Sequence, residues 1–203
     1  PELSGSVVRP ADLFSARRIV VVMWLIGATL MLLRLARAHV CARRLVIGAS
    51  DETPGWLNEM TADVARRLRL MRRVSVRVGG DISGPMVYGI VWPVILLPAS
   101  MVSSMPHESL RVILAHEFAH VRRGDLLVGL IQRLVESALF YHPAIWWLSR
   151  QVDREREAAC DAAALSLVGR RTIVATALVD SADAARGSSC LLYTSDAADD
   201  TRS

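Results

Sequence analysis

The longest uniform stretch of the chain is the run from Ile19 to Leu33, fifteen residues without a charge. It is apolar on every face, as expected of a helix surrounded by lipid rather than packed on one side. A membrane span needs about 20 residues. Residues 16–38 supply that length if the flanking Arg side chains reach out to the interface, so a transmembrane helix is predicted there, with residues 1–15 as a connector. Beyond a loop at 48–55, Trp56, Met60, Val64, Leu68 and Met71 recur at helical spacing and predict an amphipathic helix over about 54–71. Pro54 falls at its first position and Thr53 is a candidate cap. Val74, Val76 and Val78 alternate with Ser75 and Arg77, which is a strand pattern. Met86–Ile90 and Val94–Leu97 predict a strand or hairpin, and Pro93 favours an edge position for it. A helix opens at Pro106-His107-Glu108 and closes at Gly124. An apolar segment over 125–148 is a candidate second membrane helix, and residues 149–168 form a charged, Ala-rich helix.

Composition sharpens this outline. The chain of 203 residues is 52% hydrophobic, with a mean hydropathy of +0.33. That excludes disorder and favours contact with a bilayer. All 24 basic residues are Arg and the net charge is +4. No nucleic-acid-binding motif accompanies the Arg pairs, so no nucleic-acid partner is expected. Arg9, Arg17 and Arg18 precede the apolar run; Arg34, Arg37, Arg43 and Arg44, then Arg66, Arg67 and Arg69, follow it. The positive-inside rule therefore puts the C-terminal side in the cytoplasm. Cys41, Cys160 and Cys190 are too widely spaced for a disulfide framework or a C-x-x-C zinc site. The chain begins at Pro1 without signal-peptide architecture. Its last stretch, from about residue 190 (CLLYTSDAADD), resembles the translation of a transposon-derived sequencing adapter, and residues 190–203 are set apart from the fold.

The sharpest chemical feature is His116-Glu117-Phe118-Ala119-His120. On a helix, residues four apart share a face, so both imidazoles can reach one zinc ion. Glu117 stands beside them as a base for the water proton. A catalytic zinc keeps three protein ligands, so a third must come from elsewhere. Spacing leaves His142 and Glu157 as candidates, with Glu136 and Glu155 behind them. Asp161 lies one turn after Glu157 and is placed to accept a hydrogen bond from His116 or His120 without being a ligand. The segment Gly84, Pro85, Met86, Val87 and Tyr88 precedes the helix and is a candidate edge strand for binding substrate backbone. His142 is more simply a residue that interrupts a helix, and Cys160 a small buried apolar one.

Four ordered blocks, GPMVYGIVWPVILLP, ESLRVILAHEFAHVRRGDLL, LFYHPAIWWLSR and DREREAACDAAAL, resemble the BlaR/MecR family of bacterial membrane zinc peptidases. The resemblance covers roughly residues 15–180. It implies a mainly α, membrane-embedded, gluzincin-like fold with a small β-hairpin or sheet, and a peptidase domain over 39–185. It implies Zn2+ as cofactor, His116, His120 and Glu157 as ligands and Glu117 as base. Asp161 matches the acid of the family's E-x-x-x-D motif. It further implies a multi-pass protein of the bacterial inner membrane, its site facing the cytoplasm. Its substrate would be a protein or peptide, such as a cytoplasmic repressor in antibiotic-resistance signalling. A penicillin-binding domain follows the peptidase in some members, so ligand sensing is not carried over. A housekeeping membrane protease and a non-catalytic signalling scaffold are the other readings; intact HExxH and Glu157 oppose the scaffold.

Overall fold

The computed structural model describes residues 10–80 and 82–168 of the chain. These are mainly helical, with one three-stranded sheet. Helix α1 spans Pro10–Gly48 without a break. It therefore includes residues 16–38 as expected, but the connector predicted for 1–15 is already helical from Pro10. At 1.5 Å per residue α1 is roughly 58 Å long, well beyond a hydrocarbon core of about 30 Å. Its part from Arg17 to Gly48 is long and apolar enough to cross a membrane, with none of its most apolar window buried.

Helix α2 (Gly55–Arg67) follows a cap formed by Pro54. Thr53 does not cap it: the Thr53 hydroxyl donates to Asn58 Oδ1 at 2.7 Å, a side-chain contact one turn inside the helix. Three short strands come next: β1 (Ser75–Gly79), β2 (Met86–Tyr88) and β3 (Val94–Pro98). Their order is β1-β3-β2, with β1 parallel and β2 antiparallel to β3. The Pro-flanked strand is thus central, not at the edge. Pro93 stands just before β3, where its carbonyl accepts from Ser75 N at 3.2 Å, and Pro98 is its last residue. A proline at a strand's end leaves the ladder between intact. The edge strands are β1 and β2.

Helices α3 (Ala99–Ser104), α4 (His107–Arg123), α5 (Asp125–Ala138) and α6 (Pro143–Val168) complete the described chain. The segment 125–148 is two helices rather than one. The break at Leu139–His142 leaves α5 with 14 residues, about 21 Å, too short to cross a bilayer. The outer face of α5 nevertheless exposes Leu127, Val128, Ile131, Leu134 and Val135, and the helix packs against α1. Trp24 Nε1 donates to Ala138 O at 2.9 Å. The ring of Phe140 fills the space at Gly27 that any Cβ would occupy.

Helix α4 lies at the centre. Leu110, Leu114 and Phe118 are fully buried, against Leu57 and Val64 of α2, Ile95 and Leu97 of β3 and Ala164 of α6. The Arg122 guanidinium ties its end to Leu68 O of the α2 terminus at 3.3 Å. Burial of this many aliphatic side chains, each contributing about 1.5–3 kcal/mol, makes α4 the rigid element on which the polar residues of its remaining face are mounted.

Candidate metal centre

That face carries His116 and His120, one turn apart on α4. Their Nε2 atoms lie 3.1 Å from each other. Helix α6 crosses α4 and brings Glu157 between them, with Oε2 3.4 Å from His116 Nε2 and Oε1 3.8 Å from His120 Nε2. One ligand atom from each of these residues lies within 4.8 Å of the others. The remaining ring nitrogens are held by carboxylates. Asp161 Oδ1 is 3.0 Å from His116 Nδ1, an ion-pair distance without hydrogen-bond alignment, and neither of these two buried atoms has a hydrogen-bond partner among the described residues. Asp125 Oδ2 is 2.9 Å from His120 Nδ1.

A carboxylate at each Nδ1 favours a proton there, which leaves the two Nε2 lone pairs directed at each other. Neutral imidazoles so disposed have no proton to share, and a cation between them removes the conflict. Two nitrogens bound to one tetrahedral ion at about 2.0–2.1 Å lie about 3.3 Å apart, close to the spacing found. The donor set, two imidazoles and a carboxylate, suits zinc. His116, His120 and Glu157 thus fit a divalent metal.

The charges are tuned by the same contacts. Burial pushes the Glu117 carboxyl up to about 7, with the Glu157 charge adding to the effect and His116 opposing it. Burial alone would lower His116, but Glu157, Glu117 and Asp161 outweigh it and hold the imidazole above its ordinary value. At His120 burial prevails, helped by His116 and opposed by Asp125, and the value falls. Glu157 is held below the usual carboxylate range, first by its contact with His116. Burial and the Asp125 carboxylate push the Cys160 thiol up to about 12, so it stays protonated.

The other residues weighed as third ligand lie apart. Glu136 is bound by Arg133 at 2.7 Å, and Glu155 accepts from Gln151 at 3.3 Å on an exposed face. His142 Nδ1 accepts from Ala144 N at 3.3 Å, within the break before α6. Of the segment Gly84–Tyr88, Met86–Tyr88 form the edge strand β2. Pro85, Val87 and Tyr88 line a cleft of about 820 Å³ that also contains His116, Glu117, His120 and Glu157. Its opposite wall is the C-terminal part of α1, where His39 Nε2 meets the Tyr88 hydroxyl at 3.0 Å. Two residues at the centre escape sequence reasoning. Asp125 sits beyond the HExxH motif and reaches His120 only through the turn at Gly124. Cys160 is fully buried as expected, but the sequence gives no sign of its contacts, with Sγ 3.3 Å from His120 Nδ1 and 3.5 Å from Asp125 Oδ2. The Gly-Asp pair at the end of a predicted metal-binding helix is the signal that could have marked Asp125.

A family profile described as BlaR1 peptidase M56 matches residues 7–192. The chain is 25% identical over 153 residues to the methicillin resistance mecR1 protein of Staphylococcus aureus, covering 74% of this chain and 26% of that protein. It is 23% identical over 148 residues to the regulatory protein BlaR1 of Bacillus licheniformis, covering 73% and 24%. The match thus spans about a quarter of the length of each of these relatives. Extending over nearly the whole sequence, HExxH helix and Glu157 included, the profile identifies this chain as a member of the BlaR1 peptidase M56 family.

Proposed function

We propose that the chain is the peptidase part of a membrane-embedded, zinc-dependent endopeptidase that performs regulatory proteolysis of a cytoplasmic protein, such as a transcriptional repressor. The observation that carries this reading is the convergence of His116 Nε2, His120 Nε2 and the Glu157 carboxylate on one point, with a carboxylate behind each imidazole. When bound there, zinc acts as a Lewis acid that polarises a carbonyl and lowers the pKa of water.

The chain's own residues do the rest. Glu117 is buried beside the ligands, and its raised pKa suits a base working near neutrality. Its carboxylate takes the proton of the attacking water and returns it to the leaving amine. Among the described residues β2 pairs only with β3, and Val87 and Tyr88 line the cleft, so an extended peptide can add to β2 as a strand. Leu35, Ala38 and Val87 give the cleft apolar walls. The apolar stretch of α1 supports a membrane anchor for the site, and the Arg excess after it supports a cleft on the cytoplasmic side. The relatives' printed names, a regulatory protein and a methicillin resistance protein, support a regulatory use.

Glu117→Gln tests the chemistry. The amide keeps the shape but accepts no proton. The variant is expected to retain zinc by metal analysis and to lose cleavage of a repressor-type substrate. Retained cleavage overturns the role of Glu117.

A further inference from the structure

Asp125 is the first residue of α5, set on a turn whose only unusual backbone is Gly124 at φ 73°. Its side chain is 4% exposed. A buried carboxylate requires compensation, and among the described residues four side chains face Asp125. Oδ2 faces His120 Nδ1 at 2.9 Å and accepts from the Cys160 thiol at 3.5 Å. Oδ1 faces the Arg123 guanidinium at 3.5 Å and that of Arg156 at 4.0 Å. The amino end of α5 adds a favourable partial positive charge. Two guanidinium groups and a helix terminus therefore face Oδ1, and the thiol fills the second acceptor direction of Oδ2. What remains is one strong acceptor aimed at His120 Nδ1.

We infer that Asp125 is a positioning residue of the metal centre: it fixes His120 as the Nδ1–H tautomer and locks the ring so that Nε2 faces His116 and Glu157. This rests on the reading of His116, His120 and Glu157 as metal ligands. The two imidazoles are not held alike. His116 faces Asp161, a side chain 38% exposed, across a 3.0 Å contact that is not aligned as a hydrogen bond. His120 leans on a carboxylate sealed from water, and a hydrogen bond to a charged acceptor is stronger where water is excluded. His120 is accordingly the better-fixed half of the pair, through a residue outside HExxH and on a different helix.

The test uses the full chain in detergent and zinc as the probe. Zinc affinity is measured by chelator competition for the parent, Asp125→Ala, Asp125→Asn and His120→Ala. Asp125→Ala is expected to bind about 10–100-fold more weakly. Asp125→Asn, which keeps the side-chain shape but offers a weaker, neutral acceptor, falls between it and the parent. In metal-free protein labelled with 15N-histidine, His120 is expected to show a protonated Nδ1 in the parent and a mixture of tautomers in Asp125→Ala, which a merely structural role would not produce. Parent-like affinity in folded Asp125→Ala overturns the inference; should that variant fail to fold, parent-like affinity in Asp125→Asn does so. His120→Ala separates the two levels. If it leaves zinc affinity unchanged, the metal centre itself is misassigned. If it abolishes binding while both Asp125 variants match the parent, only the positioning role fails.

Discussion

Glu157 and Asp161 lie one turn apart on α6 and face the same pair of imidazoles, yet their contacts differ in kind. Glu157 reaches the Nε2 atoms of both His116 and His120, whereas Asp161 meets His116 at Nδ1. Only the first geometry is that of a ligand, since Nε2 is the atom turned into the centre. Removing a ligand leaves two imidazoles, too few for a catalytic zinc. Removing a residue behind a ligand typically weakens metal binding or activity by about 10–100-fold. Glu157→Ala is therefore expected to lose zinc at chelator concentrations that Asp161→Ala still withstands. Chelator titration of the two variants checks the order, and equal affinity of Asp161→Ala and the parent would reject its role. The pairing of His116 with His120 and the proximity of Glu117 are legible in the sequence, because a single helical turn determines them. Asp125 is not legible in that way. Its approach to His120 depends on a left-handed residue between two helices, and neither periodicity nor spacing reports a chain reversal of that shape.

At the scale of elements, the same turn makes a stability prediction. Gly124 closes α4 and caps α5 with φ 73° and ψ 27°. An L-residue in this conformation costs about 1–2 kcal/mol. No atom would touch a Cβ there, so backbone strain alone is at issue. Gly124→Ala is expected to destabilise the protein by about 1 kcal/mol, read as a lower thermal midpoint in detergent, and to weaken zinc binding because Asp125 moves with the turn. A second junction joins α2 to α4. Asp63 receives Arg66, Arg67 and Arg111, the last across the helix interface at 2.6 Å. Partial burial would raise the Asp63 carboxyl, but the three guanidinium groups outweigh it and hold it below the usual range. A carboxylate lowered on folding stabilises the native state above its unfolded pKa, and that gain disappears as pH falls through the lowered folded value. Asp63→Asn should thus be less stable than the parent near pH 6, with the gap closing below the carboxylate range; a gap independent of pH would contradict it. Amphipathic α2 and alternating β1 are legible because their periods are local. The central place of β3 is not, since order in a sheet depends on which strands meet, and the division of 125–148 into two helices is set by the Pro143 start and the packing of Phe140 on Gly27.

For the molecule as a whole, α1 does two things at once. Its apolar stretch is long and apolar enough to cross a bilayer, and its C-terminal continuation is a wall of the cleft. Leu35, Ala38, His39 and Ala42 line the space that holds His116, Glu117 and Glu157, and Arg77 of β1 donates to Val46 O near the helix end at 2.9 Å. The candidate site therefore lies on whichever side of the membrane receives the C-terminal end of α1, so one topology measurement locates both. Arg34, Arg37, Arg43 and Arg44 at that end predict the cytoplasm. Glu52 is exposed in the loop just after α1, which makes Glu52→Cys, in a chain whose native cysteines are replaced, a suitable reporter. In intact cells an impermeant thiol reagent is expected to leave this cysteine unmodified, and to modify it once the membrane is permeabilised. Labelling from outside intact cells would reverse the orientation. It would also exclude a cytoplasmic repressor as substrate, because the edge strand β2 and the metal centre would then open to the cell exterior.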